Sequence, residues 1–248
     1  MRNFLWILAF AIIFSCKNAI TSETIKPSGE TKSTEAPSGL ESISTKDFTD
    51  FKVLDSQNLT KAEIWETINP QMEDFTAEDY KRLKPLILEQ EITTIQKHRI
   101  ASKFTYQDLV KFYLYRIRKF DRENPLSLNS VIAINPNVIA QAKQNDNDFK
   151  NKNWKHPIFG MPILLKDNIN ADDMATTAGA VALKHNLTED AFIVKQLKSK
   201  DALILGKTNL SEWAYFFCGD CPSGYSAIGG QTLNPYGRRI FDTGGSSS

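Results

Sequence analysis

Amide or ester hydrolysis needs a nucleophile, a base and donors for developing negative charge, and this 248-residue chain offers few residues that could supply them. The 3 histidines, His98, His156 and His185, are scattered and read as ordinary surface or loop residues. Neither HExxH nor GxSxG occurs, and no four-ligand Cys/His set is visible, which argues against a Ser-His-Asp hydrolase and a zinc enzyme. Gly206-Lys207-Thr208 ends like a phosphate-binding loop. Asp201 stands where that loop needs its first glycine, however, and Ala202 to Leu205 reads as strand, so the phosphate reading fails. Lys166 follows the apolar run Pro162 to Leu165. By itself it would be a surface lysine closing a strand. Gly244-Gly245-Ser246-Ser247-Ser248 reads by composition as a flexible Gly/Ser stretch or as a loop presenting a hydroxyl. Cys218-Gly-Asp-Cys221 lacks partner ligands for a metal, and no metal site is expected there. In an exported protein these cysteines could form a short-loop disulfide or stay as two free thiols.

The elements that must position these residues have an α/β rhythm. Thr76-Ala-Glu-Asp79 resembles a capping box, and the helix it opens runs to about Gln90 unless Pro85 ends or kinks it. A second helix is expected from Tyr106 to about Arg122, started by Thr105 and Asp108, with Leu109, Phe112, Tyr113, Ile117 and Phe120 on one face. Asn124-Pro125 stops it. Ser130 to Ile134 reads as a buried strand, followed by a helix to about Asn147 with Asn135 as cap and Pro136 in its first turn. Pro162 to Leu165 is a further apolar segment, Glu189 to about Lys200 a helix capped by Thr188, and Ala202 to Leu205 a short buried strand. The simplest fold is α/β, a mixed or parallel sheet flanked by helices on both sides.

The amino-terminal stretch differs in kind. Met1-Arg2-Asn3 followed by the apolar run Phe4 to Phe14 has the form of a signal peptide and is too short to span a bilayer comfortably. Ile13-Phe14-Ser15-Cys16 resembles a lipobox, in which Cys16 would be lipidated, with ordinary cleavage near Ser15 as the alternative. Residues 17–47 are rich in Ser, Thr, Lys, Glu, Pro and Gly and cannot bury enough apolar surface to offset their ordering entropy, so a disordered tether is expected. Residues 48–91 form an N-terminal helical segment. A net charge of +1 gives no nucleic-acid footprint.

Taken together and in order, several segments resemble the amidase signature family. They are Pro157-Ile-Phe-Gly-Met-Pro-Ile-Leu-Leu-Lys166-Asp-Asn168, Thr176-Thr-Ala-Gly179, Gly206-Lys-Thr-Asn-Leu-Ser-Glu-Trp-Ala214, Gly229-Gly-Gln-Thr-Leu-Asn-Pro-Tyr236 and Gly244-Gly-Ser-Ser-Ser248. Within the family, Asn-Leu-Ser-Glu-Trp-Ala and Gly-Gly-Gln-Thr-Leu-Asn-Pro-Tyr look most like bacterial peptide amidases. The likeness extends more weakly toward the amino terminus and marks residues 92–248 as the N-terminal part of an amidase domain.

The resemblance implies hydrolysis of a carboxamide C–N bond by a Ser-Ser-Lys triad through an acyl-serine intermediate, with no cofactor. Lys166 would be the general base, since burial favours the neutral amine of a lysine. Ser246, on a loop held through a cis peptide bond, would relay the proton. The setting Asp242-Thr-Gly-Gly-Ser246 also imitates the family's nucleophile motif, but the 80 residues separating Ser246 from Lys166 suit the relay. The attacking serine is then expected beyond residue 248, so the 248-residue chain alone is expected to be inactive. Gly244, Gly245 and Ser247 would shape the loop on the substrate side, and Ala214 would border the acyl pocket. A small-molecule or peptide amide is the implied substrate, and the implied location is the bacterial cell envelope, anchored through Cys16. Two alternatives stay open: a catalytically dead truncated lipoprotein, and the glutaminase-type subunit of an amidotransferase.

Overall fold

The computed structural model describes residues 57–122, 128–154, 156–217 and 223–235, all within one compact unit, Ser44–Ser248. The signal-peptide and tether segments, Cys16, Cys218, Cys221, Asn124-Pro125, and Gly244 to Ser248 lie outside the described residues.

The chain enters through short helices, α1 (Lys61–Trp65), α2 (Ala77–Ile87) and α3 (Ile92–Ile100). Thr60 and Glu63 close a capping box on α1, and Thr76 and Asp79 close the expected one on α2. Pro85 does not stop α2: the helix continues two residues past it and ends at Leu88, whose backbone N–H donates to the Lys84 carbonyl. Leu83 and Ile87, on either side of the proline, are fully buried, and that packing holds the last turn.

Helix α4 (Tyr106–Arg116) starts at the Thr105–Asp108 box and widens into a π-helical turn over Ile117–Arg122. Its Tyr106, Leu109, Phe112 and Leu114 are buried without exposed surface. Strand β1 (Val131–Ile134) follows, then α5 (Val138–Lys150). This helix begins later than the sequence suggests. The cap is Asn137, while Asn135 serves both sides, accepting the Asn137 N–H on Oδ1 at 2.8 Å and donating from Nδ2 to the Ile204 carbonyl at 2.9 Å.

The remaining elements are β2 (Pro162–Lys166), α6 (Phe192–Lys198), β3 (Leu203–Thr208) and a small hairpin of β4 (Tyr225–Ser226) with β5 (Gly230–Gln231). Helix α6 is shorter than expected: Ala191, not Thr188, stands at its cap, and the preceding residues are occupied with the turn before it, where the Ala191 N–H donates to the Asn170 carbonyl at 3.0 Å.

Among the described residues the main sheet is 3-stranded in the order β1-β3-β2, with β1 antiparallel and β2 parallel to β3. It is therefore mixed, as expected. One face carries the larger core, built from α1, α2, α4 and α5 with Val131, Ile134, Leu203 and Leu205. The other carries a smaller cluster of Leu165, Ala171, Met174, Val194 and Ile204 beneath α6. Gly206 explains the Gly-Lys-Thr string in structural terms: a Cβ there would lie 2.3 Å from the Ala133 carbonyl oxygen, so close strand approach requires the glycine.

Candidate active site

Lys166 is the last residue of β2, at the point where the strand leaves the sheet. In register it pairs with Thr208, and Leu165 pairs with Lys207. Because side chains alternate along a strand, Lys166 shares a face with Leu164, which is 38% exposed, while Lys207 lies on the opposite face with Leu165. The two lysines consequently differ in environment. Lys166 is half-buried, and Lys207, at 0% exposure, is the fully buried one. Among the described residues β3 lies between β1 and β2, and the segment after β2 closes over Lys207 through Ile169 and Thr176.

Asp167 begins the turn after Lys166 and is itself 1% exposed along its side chain. Its backbone N–H donates to the Thr208 carbonyl at 3.2 Å, and the Ile169 N–H donates to the Lys166 carbonyl at 2.9 Å. Its carboxylate accepts from the Thr177 hydroxyl, from the Thr177 N–H at 3.2 Å and from the Gly179 N–H at 3.3 Å. Its carbonyl accepts from the Ala178 N–H at 3.0 Å. The Thr-Thr-Ala-Gly segment is thus a clasp around Asp167. It makes its turn at Ala178 and Gly179, with φ of 49° and 80°. Lys207 Nζ donates to the Ile169 carbonyl at 2.6 Å and to Thr176 Oγ1 at 2.8 Å, and it stands 3.9 Å from Asp167 Oδ1.

Burial pushes the Asp167 carboxyl above its ordinary range, against the opposing pull of the Thr177 hydrogen bond and the Lys207 charge. It also pulls the Lys207 amine down to about 8, with the Asp167 charge acting the other way.

The Asn-Leu-Ser-Glu-Trp-Ala segment is mostly scaffold. Fully buried Asn209 donates to the carbonyls of Gly230 at 2.9 Å and Asn129 at 3.2 Å and accepts from the Ser226 hydroxyl at 2.6 Å. Ser211 Oγ accepts from the Gly224 N–H at 2.8 Å, and Glu212 accepts from the Ala227 N–H at 2.8 Å. Together these bonds hold the β4–β5 hairpin against the end of β3. Gln231, from the Gly-Gly-Gln-Thr segment, adds a bond from Nε2 to the Ser223 carbonyl at 2.6 Å.

Ala214 lies in a 3₁₀ turn, Glu212–Tyr215, where Trp213, Ala214 and Tyr215 adopt φ of 51°, 53° and 67°. Ala214 is exposed, and the turn docks on the clasp through the Trp213 N–H, which donates to the Ala178 carbonyl at 3.0 Å. The structure therefore brings the turn carrying Ala214 against the clasp that Asp167 holds. Ser246, Gly244, Gly245 and Ser247 fall outside the described residues, and the geometry around Lys166 is built without them. Among the described residues no group of His, Cys, Asp and Glu could hold a metal ion.

Asp167, Thr176, Thr177, Lys207 and Asn209 have no assigned role in the sequence reading. One signal was available for Lys207: a charged residue continuing an apolar strand run, where burial demands partners.

The profile of the family described as Amidase matches residues 108–248. A probable amidase of Arabidopsis thaliana is 40% identical over 161 residues, covering 62% of this chain and 31% of that protein. A glutamyl-tRNA(Gln) amidotransferase component of Borrelia garinii is 34% identical over 158 residues, covering 63% of this chain and 31% of its own length. Among solved structures, an amidase family protein from Bacillus anthracis superposes with a TM-score of 0.72 at 37% identity, covering 77% of this chain and 38% of that one. The peptide amidase of Stenotrophomonas maltophilia gives a TM-score of 0.59 at 43% identity, covering 60% of this chain and 31% of the enzyme. The chain spans about a third of the length of each of these relatives. With the family profile over more than half of the chain and a mixed sheet that superposes on solved amidases, this chain belongs to the Amidase family, the amidase-signature hydrolases.

Proposed function

We propose that the protein is an amidase in which Lys166 is the general base and Ser246 the proton relay. A serine beyond residue 248 attacks the amide carbonyl, the C–N bond breaks to leave an acyl-serine, and the amine or ammonia departs with the relayed proton. Water then releases the carboxylic acid and restores the serine. The observation that carries this reading is the placement of Lys166, half-buried at the end of β2 and directly before a turn pinned by Asp167, in a chain of the Amidase family. A base must reach a reacting proton, and a half-buried amine at the end of a strand can do so.

A small-molecule or peptide amide is the proposed substrate, in line with the 43% identity to a peptide amidase. Gly244, Gly245 and Ser247 are proposed to shape the relay loop, and Ala214 to border the acyl group. We also place the protein in the bacterial envelope, held through a lipid on Cys16 and a tether over residues 17–47. A second reading, the glutaminase-type subunit of an amidotransferase, is favoured by the 34% identity to the glutamyl-tRNA(Gln) amidotransferase component.

The test is ammonia release from peptide amides and small aliphatic amides by the full-length protein and its Lys166→Ala variant. Removing a general base is expected to cost about 10²–10⁴-fold in turnover while the circular dichroism spectrum stays unchanged. Full activity in Lys166→Ala overturns the assignment. Ammonia release from free glutamine, with none from other amides, points to the second reading.

A further inference from the structure

We propose that Lys207 and Asp167 are positioning residues for Lys166, forming a brace after the end of β2 that fixes where the Lys166 amine sits on the opposite face of the sheet from Lys207. The positioning role rests on the amidase reading of Lys166; the brace itself is a matter of geometry.

The two strands divide the work. Lys207 cannot serve as the reacting base in place of Lys166, because the register puts it on the other face, with no exposed surface. A buried lysine is costly, and retaining one calls for a use. Here it spans the turn after Lys166. Nζ holds the carbonyl of Ile169, three residues past Lys166, and the hydroxyl of Thr176, the first residue of the clasp. Asp167 holds the rest of the clasp through the N–H groups of Thr177 and Gly179. The Ile169 N–H returns to the Lys166 carbonyl at 2.9 Å, and the Asp167 N–H ties the same point to β3. All of these bonds except the one to the Thr176 hydroxyl engage main chain within the turn and clasp that follow Lys166, and none touches its side chain.

The brace also reaches toward the substrate side. The clasp accepts the Trp213 N–H on the Ala178 carbonyl, so one network connects the main chain at Lys166 to the turn carrying Ala214. Loosening it would shift the base relative to the acyl group, and a misplacement of about 1 Å costs about 100-fold in rate.

The experiment has two readouts on Lys207→Met and on Lys207→Met combined with Asp167→Asn. The double variant leaves no unpaired buried carboxylate, and it keeps the test open where the single one fails to fold. Amide hydrogen exchange, and kcat and KM for amide hydrolysis, are both measured on the full-length protein. The brace predicts exchange at Ile169, Ala178 and Gly179 at least about tenfold faster, with Asn135, bonded across the sheet to Leu205, unchanged. It also predicts kcat lower by about 100-fold with KM within about threefold. Unchanged exchange at those amides, or acceleration spread evenly over the sheet, overturns the brace. Normal kcat despite local loosening overturns its positioning role. Absence of amide turnover in the unsubstituted protein sinks the amidase reading, and exchange then decides the brace alone.

Discussion

Lys207 meets Asp167 where burial disfavours both charges, and the consequence is a pH dependence with a definite sign. In the unfolded chain the amine titrates at its ordinary value near 10.5, and in the folded protein at about 8. Between those values the unfolded state holds a proton that the native state has released, so this group's contribution to stability rises with pH across the window. Asp167 moves the opposite way, with a raised folded value, and its contribution is present at low pH and lost as pH rises through that value. Urea unfolding at several pH values should show the wild-type chain gaining stability relative to Lys207→Met from about 8 toward 10.5. Parallel curves for the two proteins would contradict the buried-amine account.

At the scale of elements, the junction of α3, α4 and α5 rests on one carboxylate. Asp146, from α5, accepts from Arg99 at 2.8 Å and caps α4 through the N–H groups of Tyr106 at 2.8 Å and Gln107 at 3.1 Å. Arg99 is only 5% exposed, and its guanidinium lies 4.1 Å from the centre of the Phe149 ring. Removing the carboxylate leaves that cation buried and unpaired, so Asp146→Ala should cost about 3–5 kcal/mol in a urea titration. A loss below about 1 kcal/mol would mean that water replaces the carboxylate freely. The same region shows why local signals mark helix starts better than ends. Capping boxes at Thr60, Thr76 and Thr105 act within a single turn, whereas Pro85 is overruled by the burial of Leu83 and Ile87 on distant partners.

For the whole molecule, the chain spans about a third of the length of its relatives. No helix among the described residues is long and apolar enough to cross a membrane. Attachment, as proposed, depends on Cys16. A Cys16→Ser substitution in the producing bacterium is expected to abolish labelling by radioactive palmitate and to move the protein from the membrane to the soluble fraction. Retention of both label and membrane association in the variant would rule out Cys16 as the lipidated residue.

Motif order by itself determined the family, and apolar runs between turn signals determined an α/β sheet flanked by helices. Both survive because motif spacing and strand burial are written in consecutive residues. The end of β2 at Lys166 was legible for the same reason. Which lysine would be buried was decided only by tertiary structure. Lys166 and Lys207 both follow apolar runs, and only the folded chain closes the segment after β2 over Lys207 through Ile169 and Thr176. Nor could the clasp be read in advance, because Asp167 meets Thr177 and Gly179 across a turn whose shape depends on a lysine from another strand. Asn209 likewise finds its partners Ser226, Gly230 and Asn129 across 17 to 80 positions of sequence, a separation that no local pattern records.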